Sequence, residues 1–293
     1  MKSFETVHPA SAMFYFLFVV VTAMFASNPI VLAEALIGAV CFCTVLERGK
    51  GFWKNIAFYV PLFIIISLTN PLFSHNGVTP LFFMNGNPVT KEAIFYGVAI
   101  AAMLTAVIIW CKCYSIIMTS DKFLYLFGKI IPKLSLVLSM ALRFIPIFKA
   151  QIQKVNCSQK AMGLYTSKSF TDRFRSAVRV FFVIISWSLE NAIETGDSMR
   201  ARGYGLKGRT SYSLFRWSRR DVLLLAISAS LILAVLTAMA LDGAKFYFYP
   251  RITGIDLSPL SLLVYIAFGI LVFIPFIVEL EENLKWTYLI SKI

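Results

Sequence analysis

Val178–Leu189 reads VRVFFVIISWSL, and whether these 12 residues cross a membrane decides the architecture around them. A membrane-spanning helix takes about 20 mostly apolar residues, because only a helix of that length pairs its own backbone groups across the hydrocarbon. The run is too short. A crossing there would also move Arg200, Arg202, Lys207, Arg209, Arg216, Arg219 and Arg220 to the far side, against the rule that loops rich in Lys and Arg stay in the cytoplasm. The run is therefore read as part of a cytoplasmic helix that lies against the membrane or other helices.

The surrounding charge agrees. Thr119 to Arg220 holds 18 Lys or Arg against 5 Asp or Glu, a net of +13 that equals the formal charge of all 293 residues. The loops from Pro71 to Glu92 and from Asp242 to Asp256 each balance to zero, as outer loops can, whereas Glu47, Arg48, Lys50 and Lys54 mark an inner loop. The chain is 58% hydrophobic with a mean hydropathy of +0.75, well above an ordinary globular domain. Spans are expected at Ala12–Ala26, Pro29–Leu46, Ile56–Asn70, Ala93–Met118, Val222–Leu241 and Leu257–Val278. The expected fold is all-α: a polytopic membrane protein with about six transmembrane helices and long amphipathic cytoplasmic helices. It divides into residues 1–118, 119–220 and 221–293, with both termini cytoplasmic.

Lys2 ahead of the apolar run resembles a signal peptide, but no small-x-small cleavage site follows, so the segment is read as mature protein. Ser27-Asn28-Pro29 turns the chain between the first two spans, and Pro61 and Pro275 predict kinks. In Cys41/Cys43 and Cys111/Cys113, residues i and i+2 of a helix point to different faces, so these thiols and Cys157 are read as small apolar side chains. His8 and His75 are expected on opposite sides of the membrane, which leaves no metal site. Glu34 is the clearest acid within a span; near the outer end of a short helix it is expected to reach the interface.

Inside the basic segment, Leu134, Val137, Leu138, Ala141, Ile145, Phe148, Ile152 and Val155 recur at three- and four-residue steps and form one apolar helical face. That helix is expected to end at Ala161-Met162-Gly163, where glycine takes the left-handed cap. A second helix is predicted from Thr171-Asp172 to Arg202-Gly203, stopping where Gly203, Gly205 and Gly208 cluster. Both helices thus end in Ala-x-Gly, 40 residues apart. Arg202 near the second ending meets exposed carbonyls that favour a cation, and its planar guanidinium suits two-point capture of a carboxylate.

Ser198-Met199-Arg200-Ala201-Arg202-Gly203-Tyr204-Gly205 resembles the second Ala-Arg-Gly motif of the transmembrane T component of energy-coupling factor (ECF) transporters. Gln159-Lys160-Ala161-Met162-Gly163-Leu164 is similar to the first, with methionine in place of arginine. The resemblance implies that two ATP-binding-cassette ATPases hold the helix ends, one through Ala201, Arg202 and Gly203, the other through Ala161, Met162 and Gly163. It also implies that a small membrane S component binds the vitamin or transition-metal substrate, riding on a platform that includes Leu138, Ala141, Ile145, Phe148, Phe181 and Ile185. Without an arginine at position 162 the two ATPase contacts would be unequal, which suits a pair of different subunits.

The sequence holds no G-x-x-x-x-G-K-[ST] phosphate loop, no H-E-x-x-H and no G-x-S-x-G, so no catalytic residue or cofactor is expected. Expected partners are the two ATPases, the S component and membrane lipid, with no nucleic acid. Three other readings stand beside this one, the plainest being that the basic charge merely sets topology and binds acidic headgroups. A secondary transporter would need polar groups in mid-membrane on several helices and an inverted repeat, neither of which is evident. A membrane enzyme could use the same basic residues to bind an anionic lipid or nucleotide.

Overall fold

The computed structural model describes residues 3–47, 51–74, 76–84, 87–128, 130–163, 170–206, 215–241 and 243–290. Arg48, Lys50, His75, Leu164, Lys207, Gly208, Arg209 and Asp242, which enter the sequence reading, lie outside the described residues. The chain forms two compact units, one of Met1–Lys122 with Phe215–Ile293, the other of Phe123–Leu214.

The first unit contains α1 (Ser3–Thr6), α2 (Pro9–Phe25), α3 (Pro29–Leu46), α4 (Phe52–Phe73), a hairpin of β1 (Pro80–Met84) and β2 (Asn87–Thr90), α5 (Lys91–Ile117), α9 (Arg219–Ala240) and α10 (Pro259–Ile290). Local chemistry sets several of the starts. Asn28 accepts the Ile30 amide at 3.0 Å with Pro29 as the first helical residue, so the residues expected to turn the chain also cap α3. Thr90 caps α5 through the Ala93 amide. Ser218 and Asp221 form a reciprocal capping box at α9.

α3 runs through the middle and packs on both α5 and α10, and small residues make this possible. Ala35 and Ala39 are fully buried. The Trp110 indole donates to the Ala35 carbonyl at 3.1 Å, and its ring packs among Phe16, Phe42 and Tyr15. A Cβ on Gly38 would overlap Val272 Cγ1 of α10. Gly38→Leu is expected to cost about 1–3 kcal/mol through overpacking, lowering the unfolding temperature, with partial recovery in Gly38→Leu/Val272→Ala. An unchanged transition would mean that α10 yields without cost at this contact.

Among the described residues, seven helices are long and apolar enough to cross a membrane: α3, α4 from Trp53, α5, α9, α10 through Lys285, and two helices of the second unit, Pro132–Ala161 and Phe170–Ala201. This set differs from the six expected spans. α2, with 17 residues, is one of the shorter apolar helices, and Val178–Leu189 sits inside a 32-residue helix that is long enough even though the run itself is not. Flanking charge, rather than length, is what distinguishes the two added helices from the rest.

One further feature departs from the sequence reading, and a second adds to it. The loop after α4 contains an antiparallel hairpin with Phe82 opposite Val89 and Phe83 opposite Pro88, where no strand was expected. Glu34 is half-buried: its Oε2 has no hydrogen-bond partner among the described residues, and its carboxyl lies in ordinary van der Waals reach, 3.6 Å, of where a Cβ on Gly269 of α10 would be.

Candidate functional site

The second unit is built on α7 (Pro132–Ala161) and α8 (Phe170–Ala201), preceded by α6 (Ser120–Gly128), whose first residues belong to the first unit. The apolar positions from Leu134 to Val155 fall on α7, and α8 opens one residue before the expected cap, so that Asp172 lies in its first turn, where a carboxylate favours the helix dipole.

The two endings share a left-handed glycine and the bond that its amide makes. At α8, Gly203 has φ +74°, its amide donates to the Arg200 carbonyl at 2.9 Å, and the Tyr204 amide donates to the Met199 carbonyl at 3.0 Å. This pair of bonds is a Schellman closure, which satisfies carbonyls the helix leaves open and requires a left-handed residue that glycine supplies without strain. At α7, Gly163 has φ +73° and its amide donates to the Lys160 carbonyl at 3.0 Å. The matched closures put position 162 and position 202 in equivalent places, each the last residue before the glycine.

Arg202 occupies the helix cap itself, with Arg200 in the last turn. Its side chain is exposed and, among the described residues, is in no ion pair. Met162 is 67% exposed, so its thioether has no internal packing to serve. Beside Arg202 a groove of about 460 Å³ runs between the helices, lined by Met140 and Arg143 of α7 and by Glu194, Ser198 and Met199 of α8. Glu194 was not singled out from sequence; only its i, i+4 and i, i+8 spacings from Ser198 and Arg202 could have flagged it as sharing a helix face.

The helices run antiparallel. Early residues of α7 face late residues of α8 across that groove, and further along α7 the Phe148 ring meets Trp187 at 5.6 Å between centroids. From this contact Ala161 lies about 20 Å along one helix axis and Ala201 about 20 Å along the other in the opposite sense, at 1.5 Å per residue. With both helices straight, the two Ala-x-Gly ends lie up to about 40 Å apart. Sequence spacing alone could not show this.

Of the apolar platform residues, Leu138, Ala141, Ile145, Phe181 and Ile185 are exposed, while Phe148 is half-buried against Trp187. None of the 18-residue apolar window of α7 is buried. Among the described residues no three His, Cys, Asp or Glu side chains gather as a metal ion would need.

The chain matches the family CbiQ, described as cobalt transport protein, over residues 1–212, which includes both helix endings. It is 27% identical over 225 residues to the energy-coupling factor transporter transmembrane protein EcfT of Lactobacillus helveticus, covering 69% of this chain and 77% of that protein. It is 26% identical over 243 residues to the protein of the same name from Staphylococcus aureus, covering 78% and 90%. A shorter stretch of 95 residues is 37% identical to EcfT of Listeria innocua, covering 32% and 36%.

Proposed function

The chain belongs to the CbiQ family, and from that premise we propose that it is the transmembrane component of an energy-coupling factor importer, a non-catalytic subunit that passes ATP-driven motion to a substrate-binding partner. Two cytoplasmic ATP-binding-cassette ATPases grip the ends of α7 and α8, one at Ala161-Met162-Gly163 and the other at Ala201-Arg202-Gly203. The basic segment lies in the cytoplasm with both termini, as its charge requires. A small membrane S component carries the vitamin or transition-metal ion and rests on the exposed apolar residues of α7 and α8, Leu138, Ala141, Ile145, Phe148, Phe181 and Ile185.

The observation that carries this reading is the pair of equivalent glycine closures at opposite ends of two antiparallel helices. One partner contact does not bridge tips at opposite ends of the pair, up to about 40 Å apart with both helices straight, so two separate partners account for two separate tips. When nucleotide closes the ATPases, each tip is displaced, and a rigid helix transmits the displacement because its backbone hydrogen bonds and side-chain packing resist bending.

Co-expression of this chain with two ATP-binding-cassette ATPases and an S component from the same organism, followed by purification through a tag on this chain, tests the proposal. All four chains are expected to elute together; ATPases that elute apart from the wild-type chain would defeat it. Met162→Arg is expected to be tolerated, or to tighten one ATPase contact, since the exposed position would then offer the same cation as Arg202. Loss of that ATPase from the complex would show that its pocket is apolar and selects the thioether.

A further inference from the structure

The connection between α4 and α5 is polar at its base and apolar beyond it. At the base the Thr79 hydroxyl donates to the buried Glu92 carboxylate at 2.8 Å. The Thr90 hydroxyl donates to the Asn76 carbonyl at 2.6 Å, and the Lys91 amide donates to the Thr79 carbonyl at 3.0 Å. These bonds fasten both legs of the hairpin to the first turn of α5. The Asn70 side chain, donating to the Ala93 carbonyl at 2.8 Å, sets the last turn of α4 beside it. The hairpin therefore springs from the level at which two apolar spans end.

Beyond that base, Phe82 and Phe83 of β1 are 54% and 70% exposed. Successive residues of a strand point to opposite faces, so bare aromatic rings stand on both sides of one strand. Standing in water, such a strand would be a template for aggregation. Nothing charged opposes its entry into lipid, because no Asp, Glu, Lys or Arg occurs between Lys54 and Lys91.

We propose that this hairpin lies in the interface of the leaflet at the α4–α5 end, with the Phe82 and Phe83 rings in the boundary between headgroups and acyl chains. The two exposed faces select that occupant. A docked protein surface covers one face of a two-stranded ribbon, whereas a fluid bilayer wraps both. Phenylalanine is among the residues that bury into this boundary. Depth is limited from below, because β1 pairs only with β2 among the described residues. The outer edges of the pair keep backbone groups that hydrocarbon would leave unsatisfied. An interfacial anchor has a use here: α4 packs mainly on α5 and buries almost none of its apolar window, so the hairpin fixes its height in the bilayer. The proposal needs α4 and α5 to span the membrane and does not depend on the coupling role of α7 and α8.

The test places a nitroxide on the full-length chain, reconstituted without partners into phosphatidylcholine–phosphatidylglycerol vesicles, with Cys41, Cys111 and Cys157 replaced by alanine. Labels on Phe82→Cys and Phe83→Cys are compared with Ile64→Cys, exposed on α4, and Asn76→Cys, exposed at the polar base. Both hairpin labels are expected to collide with oxygen more than with a water-soluble nickel chelate, and so to resemble Ile64→Cys more than Asn76→Cys. In Phe82→Asp/Phe83→Asp, a label on Leu81→Cys should shift toward the nickel chelate relative to the same label in the parent chain. Nickel access at both rings equal to that at Asn76→Cys would put the hairpin in water and overturn the proposal. Protection of one ring alone would overturn it in favour of a one-sided contact, and protection that appears only when a partner protein is added would overturn it in favour of docking.

Discussion

Arg202→Glu is expected to strip one ATPase from the purified complex and abolish ATP-dependent uptake, while the isolated chain folds and melts as before. The side chain is exposed and forms no ion pair among the described residues, so its replacement costs the chain nothing internally. All of the effect falls on the partner. Losing one member of a desolvated, hydrogen-bonded charge pair costs about 2–5 kcal/mol, roughly 30-fold or more in dissociation constant, and reversal adds repulsion. Arg202→Lys should fall between the two, because an ammonium keeps the charge but not the two-point fork. An ATPase that remains bound to Arg202→Glu at wild-type stoichiometry, with uptake intact, would remove this residue from the coupling mechanism.

The second large effect concerns stability. Asp221 is 5% exposed; its Oδ1 accepts the His8 amide at 3.1 Å and its Oδ2 accepts the Ser218 amide at 3.0 Å. One carboxylate therefore holds the start of α9 and ties it to the segment leading into α2, where the His8 ring stacks on Trp217 at 3.9 Å between centroids. Asp221→Ala leaves the His8 amide, buried in this packing, without an acceptor, and it removes half of the capping box. A lost cap costs about 0.5–2 kcal/mol and an unsatisfied buried donor about 1–3 kcal/mol, so a loss of about 2–4 kcal/mol is expected. Fluorescence-detected size exclusion after graded heating would read it as a lower aggregation temperature, with Asp221→Asn in between, because its amide oxygen accepts one bond while its NH2 faces the other N–H donor. Equal melting of Asp221→Ala and wild type would show that water replaces the carboxylate.

Glycine punctuation and hydrophobic periodicity made α7 and α8 legible to within two or three residues, because both signals are local. The start of α3 was equally plain from Asn28-Pro29. The hairpin was missed although Asn85-Gly86 is a strong signal for a tight turn; the apolar residues before it lack the alternation that marks a half-buried strand, and Phe82 and Phe83 are both exposed.

Other features are invisible in principle, since they join residues distant in the chain. Glu279 is 2% exposed and accepts the Phe4 amide at 3.1 Å across 275 positions. The thiols of Cys43 and Cys113, one from each Cys-x-Cys pair, meet across α3 and α5. For Glu34, only the fold reveals that α10 passes beside the carboxyl at Gly269. The candidate site divides in the same way: the identity of the two tips is local, and their separation is not.

The antiparallel course of α7 and α8 makes the pair a gauge. Substitutions along the shafts leave the gap between the two sockets unchanged, whereas one inserted residue between Trp187 and Arg202 advances the arginine by about 1.5 Å and swings it through about 100°, away from any surface built to receive it. Residue count along the shafts is thus held as tightly as the apolar character of their exposed faces.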